Sequence, residues 1–274
     1  MNSPTISRRH ALGIFAGAAV LPAKALANYA PPRGEIRTDL AKLFADAGTA
    51  GTFVGYKVDD YLVISSDSDR SGEARLPAST FKIANSVIAL ETGVVGDPDK
   101  DVFKWDGVKH DNEAWNRDHT LRSAIAVSAF PVYQEIARRI GPERMQKYVD
   151  TLDYGNRNIG GGIDWFWVRG DLRIDPVQQV NFVDRLRRGV LPVSKRAQDL
   201  VRDILPVTKV GDAVIRAKTG LTDREHGSLG WLVGWAEKGS ANTVFALNLD
   251  VRDPGHIADR MKLTQQCLAD IGAI

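Results

Sequence analysis

Cysteine is nearly absent from this 274-residue chain: Cys267 stands alone, so no internal disulfide can form. A lone cysteine in a predicted C-terminal helix reads as a small buried apolar side chain, not a reactive thiol. No charge of one sign dominates either. The 36 basic side chains face 34 acidic ones, which leaves no electrostatic footprint for nucleic acid. No apolar run is long enough to cross a bilayer; the stretch Ala11 to Ala23 falls short of the roughly 20 residues a spanning helix needs. His110, His119, His226 and His256 show no metal-ligand spacing, and no HExxH occurs, which argues against a zinc hydrolase and for no metal. Gly160-Gly161-Gly162 lacks the strand-before, helix-after setting of a phosphate loop and reads as a flexible turn. Internal repeats and low-complexity stretches are also missing.

The first 27 residues stand apart from the rest. They carry Arg8 and Arg9, then the apolar stretch, then an Ala-x-Ala site at Ala25-Leu26-Ala27. This is the pattern of a secretory signal peptide. The paired arginines after Ser7 fit the twin-arginine route, while His10-Ala11-Leu12 matches it only loosely and leaves the general secretory route open. Either route implies export to a bacterial periplasm. The leader holds Arg8, Arg9 and Lys24 and no acidic residue, so residues 28–274 carry 33 basic against 34 acidic side chains. That length suits one large domain with a substantial core.

The pattern along the chain predicts a helix over 36–47, then "GTFVGYKV" and "YLVISS" as two strands around Asp59-Asp60. Leu76 to Gly93 reads as one helix, with Pro77 in its first turn and Gly93 at its end. Residues 98–120 read mostly as loop, and "LRSAIAVSAFPVYQEIARRIG" as two helical pieces broken at Pro131. Helices follow over 144–152, 175–186 and 194–204. "AVIRAKTG", "GWLVGWAE" and "TVFALNLDV" read as closely spaced antiparallel strands, and a last helix covers 257–271. The predicted class is therefore α+β: an antiparallel sheet built from both ends of the chain and packed with helices, with the helical middle as a second lobe. Sites often lie between such lobes.

One lysine is out of place in this pattern. Lys82 lies at the start of the apolar segment 81–90, where an ammonium would lose its hydration. Ser79 is three residues earlier, so on a helix the two side chains are neighbours. A desolvated lysine is neutral near pH 7 and can take a serine proton, or combine with carbon dioxide to form a carbamate, another base. Ser79 also sits where unpaired backbone N–H groups and the helix dipole favour a developing negative charge. Spacing alone leaves an ordinary lysine on an amphipathic helix as an equal alternative. Lys218-Thr219-Gly220 ends a strand, and an edge strand can bind an extended acyl group. There the lysine and threonine suit a carboxylate, and the glycine permits close approach.

These pieces, taken in order, resemble the class D (oxacillinase-type) serine β-lactamases. "PASTFKI" resembles the nucleophile helix of that family, and "FKWDG" with "WNRDHTLRSA" its helical lobe. "SAFPVYQEIARRIG" resembles its second serine motif, "YGN" with "GGIDWFWVRGDLRI" its third motif and active-site loop, and "KTG" with "GWLVGWAE" its substrate strand. The resemblance covers nearly all of residues 28–274 and implies a serine β-lactamase/transpeptidase-like catalytic domain. It implies Ser79 as nucleophile and Lys82, as N6-carboxylysine, as general base, with carbon dioxide or bicarbonate as the only accessory need. It implies Trp167 as hydrogen-bond donor to that carbamate and Ser128 as proton relay. Lys218, Thr219 and Arg260 would hold the substrate carboxylate beside Gly220, and the N–H groups of Ser79 and Leu221 would form the oxyanion hole. Tyr154 and Asn156 would be mainly structural. The plainer alternatives are a core tryptophan, a helix serine and a helix-surface arginine at Trp167, Ser128 and Arg260.

One departure stands out. The family's second motif usually reads Ser-x-Val, and here it is Ser128-Ala129-Phe130. In the valine's place, the Phe130 ring would border Lys82 and alter water or carbon dioxide access. The function implied is hydrolysis of a small-molecule β-lactam through a serine acyl-enzyme. The alternatives are a β-lactam-sensing domain acylated without turnover, or a penicillin-binding transpeptidase or carboxypeptidase.

Overall fold

The computed structural model describes residues 32–223, 225 and 227–274. The leader read at residues 1–27 lies outside them, as do Arg224 and His226. The elements in chain order are β1 (Arg33–Ile36), α1 (Thr38–Asp46), β2 (Gly51–Lys57), β3 (Leu62–Ser65) and α2 (Ser68–Ser71). A 3-10 turn (Ala78–Phe81) leads into α3 (Lys82–Glu91), followed by α4 (Leu121–Ala126), α5 (Phe130–Ile140), α6 (Pro142–Leu152), α7 (Pro176–Arg188) and α8 (Lys195–Ile204). The chain closes with β4 (Val207–Val210), β5 (Ala213–Leu221), β6 (Leu229–Lys238), β7 (Ala241–Asp250) and α9 (Gly255–Asp270).

The strands form one seven-stranded sheet in the order β1-β3-β2-β7-β6-β5-β4. Both ends of the chain build it, as expected: β2 pairs antiparallel with β7 from Gly51↔Leu249 to Lys57↔Thr243. The sheet is not wholly antiparallel, because β1 runs parallel to β3. Alternation along the central strands sends side chains to opposite faces. Phe53, Phe245, Leu247 and Leu232 pack with Leu40, Phe44, Leu263 and Leu268 under α1 and α9. Val54, Ala246, Trp231 and Val233 face the helical lobe with Phe81, Val87, Ile125 and Phe182. On β5, Ile215 and Ala217 belong to the first set, so Arg216, Lys218 and Gly220 point to the lobe side.

Three expectations are corrected locally. The single helix read over 76–93 starts as a 3-10 turn, because Ala78 adopts a left-handed φ of +49° that no α-helix accommodates. The helical pair does not break at Pro131. It breaks at Val127–Ala129, where Ser128 has φ +57°, and Pro131 lies in the first turn of α5, where its missing N–H is harmless. β4 covers the outer edge of β5 only from Ala213 to Arg216, so β5 is an edge strand only over its last residues.

Candidate active site

One tight turn carries Ser79, the expected nucleophile. The Ala78 N–H donates to Trp167 O at 2.9 Å, and the Thr80 N–H and hydroxyl both donate to Pro77 O. This brings Ser79 out of the 3-10 turn directly above the first residue of α3. Lys82 Nζ shares a hydrogen bond of 2.7 Å with Ser79 Oγ. Lys82 is fully buried, whereas Ser79 keeps partial exposure. The nitrogen lies 5.2 Å from the centre of the Tyr133 ring and 5.5 Å from that of Phe130. Burial, and secondly the charge of Lys218, hold the Lys82 amine well below the usual lysine range. Tyr133 supplies no counter-charge: burial pushes its hydroxyl up, and that hydroxyl is shared with Ser86 Oγ at 2.8 Å.

The sheet brings the second lysine to the same seam. Lys218 Nζ donates to Ser128 Oγ at 3.0 Å and to Thr219 O at 3.1 Å, and it lies 3.4 Å from Thr219 Oγ1. Lys218 is also buried, and desolvation, then the Arg260 charge, lower it to about 7. Arg260, on α9, donates from Nη1 to Gly220 O at 2.7 Å and from Nε to Ile257 O at 2.8 Å. Its stem crosses Gly230, where a Cβ would come within 2.9 Å of Arg260 Cδ. Gly220 has a parallel reason: a Cβ there would sit 3.0 Å from Pro77 O and 3.1 Å from Thr80 Cγ2. The glycine expected to admit a ligand thus also lets β5 close against the Ser79 turn. Leu221 ends β5 opposite Gly230 with its side chain 40% exposed.

The third wall is the loop after α6. Asn156 closes it by donating from Nδ2 to Asp171 O at 2.8 Å, while its Oδ1 accepts from the Arg173 N–H at 3.0 Å. Tyr154 packs edge-on against Phe81 and Phe182. Trp167 is fully buried, stacked on Phe81 at 5.6 Å and edge-on to Phe130 at 6.1 Å. Its indole Nε1 is buried with no hydrogen-bond partner. An orphaned N–H of this kind costs about 1–3 kcal/mol. A carboxylate on Lys82 Nζ fits this setting: burial holds the amine well below the usual lysine range, aromatic rings border it, and the Trp167 ring with its unpartnered N–H packs edge-on against the same Phe130.

The structure therefore brings Ser79, Lys82, Ser128, Lys218, Thr219, Gly220, Arg260, Trp167 and Phe130 to one seam between sheet and lobe. Phe130 does border Lys82. Sequence reasoning missed Tyr133, although it lies one turn after Phe130 on the same helix. It also missed Trp165 and Arg169, which sit in a loop without periodicity. Among the described residues no cluster of His, Cys, Asp or Glu suits a metal ion.

The sequence pattern of the penicillin binding protein transpeptidase domain family matches residues 52–271. The β-lactamase OXA-5 of Pseudomonas aeruginosa is 40% identical over 237 residues, covering 85% of this chain and 88% of that protein. The β-lactamase OXA-48 of Klebsiella pneumoniae is 41% identical over 225 residues, 82% of this chain and 84% of that protein. The crystal structure of FUS-1 (OXA-85), a class D β-lactamase from Fusobacterium nucleatum subsp. polymorphum, superposes with a TM-score of 0.83 at 36% identity. That match covers 87% of this chain and 99% of the other.

Proposed function

The chain belongs to the class D serine β-lactamases and hydrolyses β-lactams, conferring resistance to them, and we propose that Ser79 is its nucleophile and Lys82, carboxylated on Nζ, its base. The observation that carries this assignment is the 2.7 Å contact between Ser79 Oγ and a fully buried Lys82 Nζ. Enzymes of this class need no metal. When present, the carboxylate on Nζ supplies a base of carboxylate strength beside Ser79 Oγ.

Ser79 Oγ attacks the lactam carbonyl as Lys82 draws off its proton. The N–H groups of Ser79 and Leu221 hold the oxyanion. Lys218, as ammonium, donates to Ser128 Oγ and leaves the Ser128 proton free for the departing lactam nitrogen. Lys218, Thr219 and Arg260 bind the substrate carboxylate at the end of β5. The strained lactam amide makes acylation the easier half. Lys82 passes the proton it took from Ser79 on to Ser128, then aligns a water against the ester, takes its proton and returns that proton to Ser79 Oγ as the ester bond breaks, which completes turnover. The buried Trp167 N–H, free of other partners, supports its role as donor to the Lys82 carboxylate.

The leader read at residues 1–27 supports export to a periplasm, where cell-wall-directed antibiotics arrive. Among the described residues no helix is long and apolar enough to cross a membrane. Mass spectrometry during turnover of a penicillin tests the chemistry: an adduct on Ser79 rises and decays, and Ser79→Ala forms none. An adduct on another residue would sink the assignment.

A further inference from the structure

A row of side chains in contact runs from the surface to Lys82. Asp223, past the end of β5, pairs with Arg169, Oδ2 to Nε 3.3 Å. The Arg169 guanidinium lies 4.4 Å from the centre of a Trp165 ring. Trp165 packs on Phe130 with ring centres 5.0 Å apart, and the Phe130 ring is the one 5.5 Å from Lys82 Nζ. The row is held by backbone geometry at its outer end. The Arg169 N–H donates to Trp165 O at 3.0 Å, one helical turn that puts both side chains on one side of the loop. Arg169 is exposed and Asp223 half-buried, so their ion pair alone contributes little. The flat stack of guanidinium on indole carries more.

We propose that Arg169 is a positioning residue that presses Trp165 onto Phe130, and Phe130 over Lys82, and so tightens the hold of Lys82 on carbon dioxide. The inference rests on the carboxylation of Lys82 proposed above. Nζ combines with carbon dioxide through its lone pair and releases one proton to solvent, so only the uncharged amine reacts. A closed ring keeps water from Nζ and keeps the amine uncharged. Loosening the ring readmits water, stabilises the ammonium and drains the reactive form.

The test titrates the mature enzyme with 13C-bicarbonate and follows the carbamate carbon of Lys82 by NMR. Arg169→Ala is expected to raise the half-saturating bicarbonate about two- to tenfold. Arg169→Lys, which keeps the charge and loses the flat face, falls between. In a Phe130→Val background, Arg169→Ala is expected to change nothing further, since no ring remains to be pressed. An unmoved curve for Arg169→Ala, or the same shift in both backgrounds, overturns the inference while leaving the carboxylation reading intact. No carbamate signal in the wild-type enzyme at saturating bicarbonate overturns both.

Discussion

Lys218 donates to Ser128 Oγ at 3.0 Å across the seam between sheet and helical lobe. The bond joins β5, the strand proposed to receive substrate, to the turn that feeds α5. It also puts a buried amine, lowered to about 7, where the substrate carboxylate is proposed to bind.

The first prediction follows from that lowered value. Around pH 8 the free enzyme holds Lys218 largely uncharged, and a bound carboxylate favours its charged form. Binding of a penicillin to a Ser79→Ala variant should therefore take up roughly half a proton or more at pH 8 and almost none at pH 6. Calorimetry in buffers of different ionisation enthalpy measures this. Equal uptake at both pH values would refute it. The same shift acts on stability. An unfolded lysine titrates near 10.5, so between about 7 and 10.5 the unfolded chain binds the extra proton. Stability contributed by this site therefore rises with pH through that window and falls as pH drops toward 7.

Lys82→Ala should lower deacylation by about 10²–10⁴-fold, the usual range for a lost general base. Stopped-flow acylation and mass decay of the adduct separate the two halves. Acylation is expected to suffer no more than deacylation. Wild-type deacylation in this variant would remove Lys82 from the mechanism.

Trp167→Phe keeps the ring stacked on Phe81 and deletes the unpartnered N–H. A hydrogen bond to a charged group contributes about 1.5–3 kcal/mol, so the bicarbonate needed for half-maximal activity should rise at least tenfold. Acidification acts in the same direction in the wild type, because protonating Lys82 removes the uncharged amine that the proposed carboxylation needs. Loss at acid pH should be restored by bicarbonate. A profile indifferent to bicarbonate would mean that the bare amine does the work.

Gly220→Ala places a methyl 3.0 Å from Pro77 O and 3.1 Å from Thr80 Cγ2. The nucleophile turn must shift outward, at a cost of about 1–3 kcal/mol. Acylation should drop about tenfold or more, because small misplacements of a reacting group are expensive. Thermal melting and burst kinetics report the two effects. Unchanged acylation would show that the turn yields freely.

Much of this site is legible in the sequence because its parts obey simple spacing. Ser79 and Lys82 are one turn apart, and the apolar run around Lys82 announces burial. β6 and β7 carry long apolar runs, as sheet strands covered on both faces should, and β5 shows alternating burial instead. β1 and β4 escape notice for the opposite reason: they are short edge strands whose residues stay largely exposed, so no alternation marks them. The left-handed turns at Ala78 and Ser128 are unreadable because neither is the glycine that normally signals such a backbone. Trp165 and Arg169 meet through a single turn inside a loop, and that contact becomes visible only in three dimensions.

Pairing of Gly51–Lys57 with Thr243–Leu249 has a consequence for biosynthesis. A ribosome must finish almost the whole polypeptide before these partners can meet. Until then β2 has only its hairpin partner β3 beside it, and elements with local partners are all the nascent chain can keep. A product that stops before Ala241 would thus lack the middle of its sheet, and trimming the last 34 residues should yield no partly active fragment.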